Sequence, residues 1–336
     1  MPRLSDIVRE HHKASSVPGS AGIDGAFRAS SGPEPATTAS SVSPPDLDWY
    51  HLAKEELLRL GHAVRQGATV RIEDIAHVAT GITASVQQAD DLLLKVFSCS
   101  EDRPLTTNPV HVAILAAKIG IGLGYEAIDL ERLVLAGLLH DVGMFALPES
   151  LVMKPGALTP EERAQIEEHP KLGREILNRL GTSFGWLARV AWQEHERWDG
   201  QGYPDRLSGG QIHEYAQLIG LVDAFDALIS PRSYRRRILP HHAVRQMLVN
   251  EKRKFPHHLL KALVEQLSVY PLGTVVRLNT GEVGAVIQVS QRYPLRPILQ
   301  VQQSAEADGA TLTKILDLSK TTLVHIVEVL KPLEAI

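Results

Sequence analysis

Imidazole and carboxylate side chains gather at four places in this chain: His140 with Asp141, His169, Glu194 with His195, and Asp223. No cysteine stands among them. Nitrogen and oxygen donors without thiolate suit iron, manganese, zinc or a similar divalent ion. In such a set Asp141 can bridge two ions while the other residues complete each shell, and the pair would activate a water for in-line attack at phosphorus. Arg232 and Arg235 follow Asp223 closely enough to supply positive charge for a phosphate. Each residue also has an ordinary reading. His169 is then a surface residue ahead of Pro170, Asp223 a buried hydrogen-bonded acid, and the arginines solvated. Their joint placement at the ends and middles of apolar helices points to a site.

The densest stretch is Glu194-His195-Glu196-Arg197-Trp198-Asp199-Gly200-Gln201-Gly202-Tyr203-Pro204. An apolar run of Trp186, Leu187, Val190 and Ala191 precedes it. The pattern fits a helix that delivers Glu194 and His195 inward before the chain breaks at Gly200 and Gly202. It fits equally a polar loop after an amphipathic helix.

The positioning elements are mostly helical. Leu52, Leu57, Leu60 and Val64 give one helix over residues 47–66, and Ile72, Ile75, Val78, Ile82 and Val86 a second that runs toward Leu94. A third is expected from about Asn108 to Ile121, with Gly122 and Gly124 as its stop. The next, apolar on more than one face, reaches His140 and Asp141 and should be buried. A desolvated carboxylate there needs a partner charge or a metal. Thr159, Pro160 and Glu162 form a strong helix start, and Pro170 implies a kink or a new helix immediately after His169. Residues 212–228 form another buried helix carrying Asp223 and Asp226, and two shorter helices follow near 243–248 and 259–267. From Tyr270 the composition turns to β: a hairpin around Asn279-Thr280-Gly281-Glu282, then strands at 298–302, 312–316 and 324–330. The fold class is therefore mainly α with a small β domain closing the chain. The expected organisation is a disordered Ser/Ala/Gly/Pro-rich lead over 1–46, an N-terminal helical segment over 47–100, a catalytic domain over 101–269 and the β domain over 270–336.

The 336 residues carry a net charge of only −4, and the short run Arg235-Arg236-Arg237 is too small to make the chain a nucleic-acid polymer binder. Cys99 is the single cysteine, which rules out an internal disulfide and suits a reducing cytoplasm. No signal peptide or membrane-spanning stretch is visible.

Five blocks occur in the order and spacing of the HD-GYP family, a branch of the HD phosphohydrolases. They are His140-Asp141-Val142-Gly143; Lys154-Pro155-Gly156 with Leu158-Thr159; His169-Pro170 with Gly173; His195 through Pro204; and Asp223-Ala224-Phe225-Asp226-Ala227-Leu228 with Arg232 and Tyr234-Arg235. The chain resembles that family over roughly 108–267. The resemblance implies a helical HD-type phosphohydrolase domain with two or three metal ions, often iron or manganese, that hydrolyses cyclic di-GMP to the linear dinucleotide or to GMP. By position, His140, Asp141, His169, His195 and Asp223 would be ligands and Asp141 the catalytic bridge. Arg232 and Arg235 would hold the substrate phosphate. Tyr203 would line the nucleotide pocket and contact a diguanylate cyclase (GGDEF) partner. A homodimer is left open, and a different HD-type phosphohydrolase is disfavoured by the intact Gly-Tyr-Pro loop.

Three departures matter. Asn108 takes a ligand position where the family has histidine, with His111 expected as a polar core residue. Met144 replaces a lysine near the substrate phosphate. Glu194 replaces a histidine; it can still ligate a hard or borderline metal, but it makes the centre more anionic, repels a phosphodiester more and leaves a bound water less acidic. Two readings remain: a phosphodiesterase holding two divalent ions, iron or manganese before zinc, or a catalytically impaired module that binds cyclic di-GMP or a cyclase partner.

Overall fold

The computed structural model describes residues 47–99, 104–230, 238, 240–267, 270, 273–289, 296–303, 312–321 and 323–331. The lead expected over 1–46 lies outside them. Helices α1 (Trp49–Arg65) and α2 (Ile72–Gln88) open the described chain. Asp48 caps α1 by accepting the His51 N–H. The second helix stops short of Leu94, because Ala89 turns to extended backbone (φ −153°, ψ 164°) and α3 (Asp91–Ser98) starts afresh. Asp90, at that break, accepts from Lys118 Nζ at 2.6 Å.

The centre is a pair, α4 (Pro104–Gly122) and α5 (Ala127–Leu139). The third helix begins earlier than its sequence suggests and runs through Pro109. A proline inside a helix forfeits one backbone hydrogen bond. Here Thr106, Thr107, Val110 and His111 on both sides of it are buried, so packing holds the helix together across the gap. Leu133, Val134, Leu135 and Ala136 of α5 are wholly buried. Each such leucine contributes about 1.5–3 kcal/mol relative to exposure. Helices α1 and α2 pack on this pair, and their buried side chains join its core.

A 3₁₀ turn (Val142–Ala146) and α6 (Glu149–Val152) lead to α7 (Pro160–Ile166), whose Thr159 and Glu162 form a reciprocal capping box. The break expected at Pro170 is present: α8 (His169–Asn178) starts at His169, with Pro170 in its first turn. Helix α9 (Gly185–Gln193) packs on α8, and α10 (Glu214–Ile229) on α4. Helix α11 (Pro240–Gln246), a π turn (Met247–Glu251) and α12 (His257–Gln266) complete the helical part.

The rest is an antiparallel sheet of β1 (Val275–Leu278), β2 (Val283–Gln288), β3 (Ile298–Gln303), β4 (Leu312–Asp317) and β5 (Ile326–Lys331) in the order β4-β3-β2-β1-β5. The β1–β2 hairpin closes through Leu278 N–H to Glu282 O, with Gly281 at φ 86°. Its buried face carries Val276, Leu278, Val286, Leu299 and Val301. The fold is thus mainly α with a small antiparallel sheet, as the composition change at Tyr270 indicates.

Candidate metal centre

Five elements deliver the candidate ligands. His140 ends α5, Asp141 opens the 3₁₀ turn, His169 opens α8, Glu194 ends α9 with His195 next, and Asp223 sits within α10. The C-terminal ends of α5 and α9 bring the negative pole of two helix dipoles to the same place, which favours a cation there. Two glycines permit the close approach. A Cβ on Gly143 would collide with the His169 carbonyl oxygen, and one on Gly220 with the Glu194 carbonyl oxygen. Any larger residue would part the 3₁₀ turn from α8, or α10 from the end of α9.

One ligand atom each from Asp141, His169, Glu194 and His195 falls within 4.8 Å of the others. His169 Nε2 is 3.1 Å from Asp141 Oδ1, 3.5 Å from Glu194 Oε1 and 2.9 Å from His195 Nε2. His195 Nε2 is 3.1 Å from Glu194 Oε1. His140 Nε2 stands 3.6 Å from Asp141 Oδ2. The Nδ1 atoms of His140 and His169 point at the Gly137 and Ile166 carbonyl oxygens, at 2.8 and 2.7 Å. An Nδ1–H so donated leaves Nε2 with its lone pair toward the cluster, the arrangement that metal-binding histidines use.

The residues fit a cation on their own chemistry. Among the described residues six buried side-chain polar atoms lack a hydrogen-bond partner, and four of them converge here: His140 Nε2, Asp141 Oδ1 and both Glu194 carboxylate oxygens. Buried polar atoms are ordinarily satisfied. Glu194 is fully buried. The titration of the group shows the same tension. Burial lowers the imidazole pKa of His140 and His169, but the facing Asp141 and Glu194 carboxylates outweigh it and push them up to about 9 and about 10. Burial raises Asp141 and Glu194, yet the imidazoles hold both below the usual carboxylate range. Burial and the neighbouring carboxylates raise Asp223, and burial together with His169 lowers His195.

The remaining sequence candidates divide between the site and its surroundings. Asn108 turns its amide nitrogen, a donor and not a ligand atom, to Asp223 Oδ1 at 3.0 Å and Asp226 Oδ2 at 2.9 Å. His111 is a buried core residue, as expected, held between Tyr50 and Asp226. Tyr203 stacks on His195, with ring centroids 4.7 Å apart and planes 21° apart. Arg232 and Arg235 lie outside the described residues. Of the three acids in the 194–204 stretch only Glu194 joins the cluster. Glu196 accepts the Asp205 and Leu207 N–H groups and pins the loop, and Asp199 accepts from Gln201 N. Glu194 and His195 thus converge with Asp141 and His169, while Glu196 and Asp199 tie the loop that follows. The Asn108–Asp226–His111 arrangement is one that sequence reasoning misses. Its one signal is the placement of Asp223 and Asp226 three positions apart on one helix.

Residues 93–258 match the family described as "HD domain", and residues 275–336 match a "KOW domain associated with HD domain". Over 84% of its length the chain is 29% identical to "Cyclic di-GMP phosphodiesterase PA4108" of Pseudomonas aeruginosa, of which it spans 68%. Over 46% of its length it is 34% identical to "3'3'-cGAMP-specific phosphodiesterase 2" of Vibrio cholerae, of which it spans 30%. A solved structure described as "Bd1817, a HDG"Y"P protein from Bdellovibrio bacteriovorus" shares the fold, with a TM-score of 0.54 at 18% identity over 67% of this chain and 73% of that one. The HD-GYP resemblance read from the five sequence blocks is matched by these relatives. No described helix is long and apolar enough to cross a membrane.

Proposed function

We propose that the protein is a metal-dependent cyclic di-GMP phosphodiesterase acting in the cytoplasm and yielding the linear dinucleotide or GMP. The observation that carries the reading is the convergence of Asp141, His169, Glu194 and His195 ligand atoms within 4.8 Å, with unsatisfied buried oxygens among them. His140, Asp141, His169, Glu194, His195 and Asp223 would hold two divalent ions, iron or manganese before zinc. Bound there, such ions supply Lewis acidity at a phosphate oxygen and a more acidic water at neutral pH.

The chain's own contribution is placement. The Ile166 carbonyl fixes the His169 ring, and the Tyr203 ring covers one face of His195, which shields that imidazole from water and leaves an aromatic surface for a base. Arg232 and Arg235 are assigned to the substrate phosphates. The 196–207 loop, held by Glu196, is the surface offered to a GGDEF partner, and a homodimer is compatible with this use. Cyclic di-GMP is favoured over another cyclic dinucleotide because the phosphodiesterase named for it matches most of this chain.

Asn108 favours a second reading, an impaired module that binds without turnover, because the atom it presents at a ligand position is a donor. Metal analysis beside hydrolysis of cyclic di-GMP and 3'3'-cGAMP with iron, manganese and zinc separates the two. Turnover of cyclic di-GMP that Asp141→Ala abolishes together with metal retention supports the enzyme. Nucleotide binding with no turnover under any metal eliminates it.

A further inference from the structure

The geometry points to Asn108 as a positioning residue that orients Asp223 toward the metal centre, itself held by a buried chain that ends at Tyr50 of α1. This rests on the metal-centre reading. Asp223 and Asp226 lie on the same side of α10, and two carboxylates so close repel each other unless donors stand between them. The Asn108 amide has two hydrogens, and the structure spends one on each acid: Asp223 Oδ1 at 3.0 Å and Asp226 Oδ2 at 2.9 Å.

The other end of Asp226 is also fixed. Its Oδ1 meets His111 Nδ1 at 2.8 Å and accepts from Ser230 Oγ at 2.9 Å. The far nitrogen of His111 meets the Tyr50 hydroxyl at 2.8 Å. His111 and Asp226 are each 1% exposed and Tyr50 is 5% exposed, so water does not compete for these bonds. The chain therefore runs from α1, through α4, to α10, and ends on one oxygen of Asp223. Held at Oδ1 by Asn108, the Asp223 carboxylate is fixed in how it presents its oxygens to an ion.

The amide nitrogen faces both acids as a donor to two acceptors, where the amide carbonyl oxygen could only accept. An imidazole at this position would leave a bare nitrogen to ligate but could not donate to both acids side by side. Asparagine thus exchanges a ligand for a tie. Partners that orient a ligand typically change metal affinity by about 10- to 100-fold when removed.

The test is calorimetric titration of the full chain with Mn²⁺ alone, together with the electron paramagnetic resonance spectrum of the bound ion and the unfolding temperature of the metal-free protein. Asn108→Ala should weaken Mn²⁺ binding by about tenfold or more and change the spectrum. Tyr50→Phe, which keeps the ring and removes only the hydroxyl at the outer end, should shift both in the same direction by less. A folded Asn108→Ala protein with wild-type affinity and spectrum, even at a lowered unfolding temperature, would mean a merely structural residue and overturn the inference. If Asn108→Ala does not fold, Tyr50→Phe decides, and an unaltered affinity and spectrum there overturns it. Failure of the unsubstituted chain to bind Mn²⁺ would instead remove the metal-centre reading, and this one with it.

Discussion

His169 and His195 meet through their Nε2 atoms at 2.9 Å, while His169 Nδ1 faces the Ile166 carbonyl at 2.7 Å. Two imidazole lone pairs cannot be held that close unless a proton or a cation lies between them. The carboxylates facing His169 raise its pKa while burial and His169 lower that of His195, so a proton there would rest on His169. Glu194 Oε1, within 3.5 Å of both nitrogens, adds the charge that a divalent ion would neutralise.

Mn²⁺ should therefore stabilise the fold. A ligand that binds only the native state at about 100 times its dissociation constant adds about 2.7 kcal/mol, seen as a rise in unfolding temperature that a chelator reverses. Glu194→Gln keeps the side-chain shape and removes the charge. It should weaken Mn²⁺ by at least about tenfold and shrink the thermal shift at fixed Mn²⁺. An undiminished shift would take Glu194 out of the coordination set.

The approach of α10 to the end of α9 makes a second expectation. Gly220→Ala places a methyl against the Glu194 carbonyl oxygen, and overpacking of this kind costs about 1–3 kcal/mol. Because the strain falls on the backbone of a candidate ligand, Mn²⁺ affinity should drop along with stability in urea titration. Gly185→Ala at the start of α9 is the control, since nothing lies near a Cβ there and helix propensity improves. Equal effects at the two glycines would show that the close approach does not matter to the site.

Much of this candidate centre is legible in the sequence because its candidate ligands sit at helix ends or in apolar runs, where a lone acid or imidazole stands out: His140-Asp141 after the apolar run 133–139, Glu194-His195 after Val190 and Ala191. The five-strand sheet is legible from β-rich runs set off by the Asn279-Thr280-Gly281 turn. Partner choice is not legible. Nothing local says that Asn108 faces Asp226 from 118 positions away, or that Tyr50 reaches His111, because those contacts are made by packing of α1, α4 and α10. The early start of the helix through Pro109 escapes local reading for the same reason: burial of Thr106 and Thr107 outweighs a local breaker.

His111 carries a pH prediction. It is buried at 1% exposure between Tyr50 and Asp226. Burial pulls its imidazole down, but the Asp226 carboxylate 2.8 Å away, with a smaller contribution from Cys99, outweighs this and takes it up to about 9, against an ordinary value of 6.5. The folded state thus binds this proton more tightly than the unfolded chain does. Its contribution to stability is complete below pH 6.5, declines as pH rises toward 9 and is lost above about 9. A hydrogen bond to a charged group is worth about 1.5–3 kcal/mol, so the wild type should exceed His111→Gln by roughly that amount more at about pH 6 than at about pH 9.5. Urea unfolding of both proteins across this range measures the difference. A gap that stays constant would mean that His111 is neutral throughout and that Asp226 is held by Asn108 and Ser230 alone.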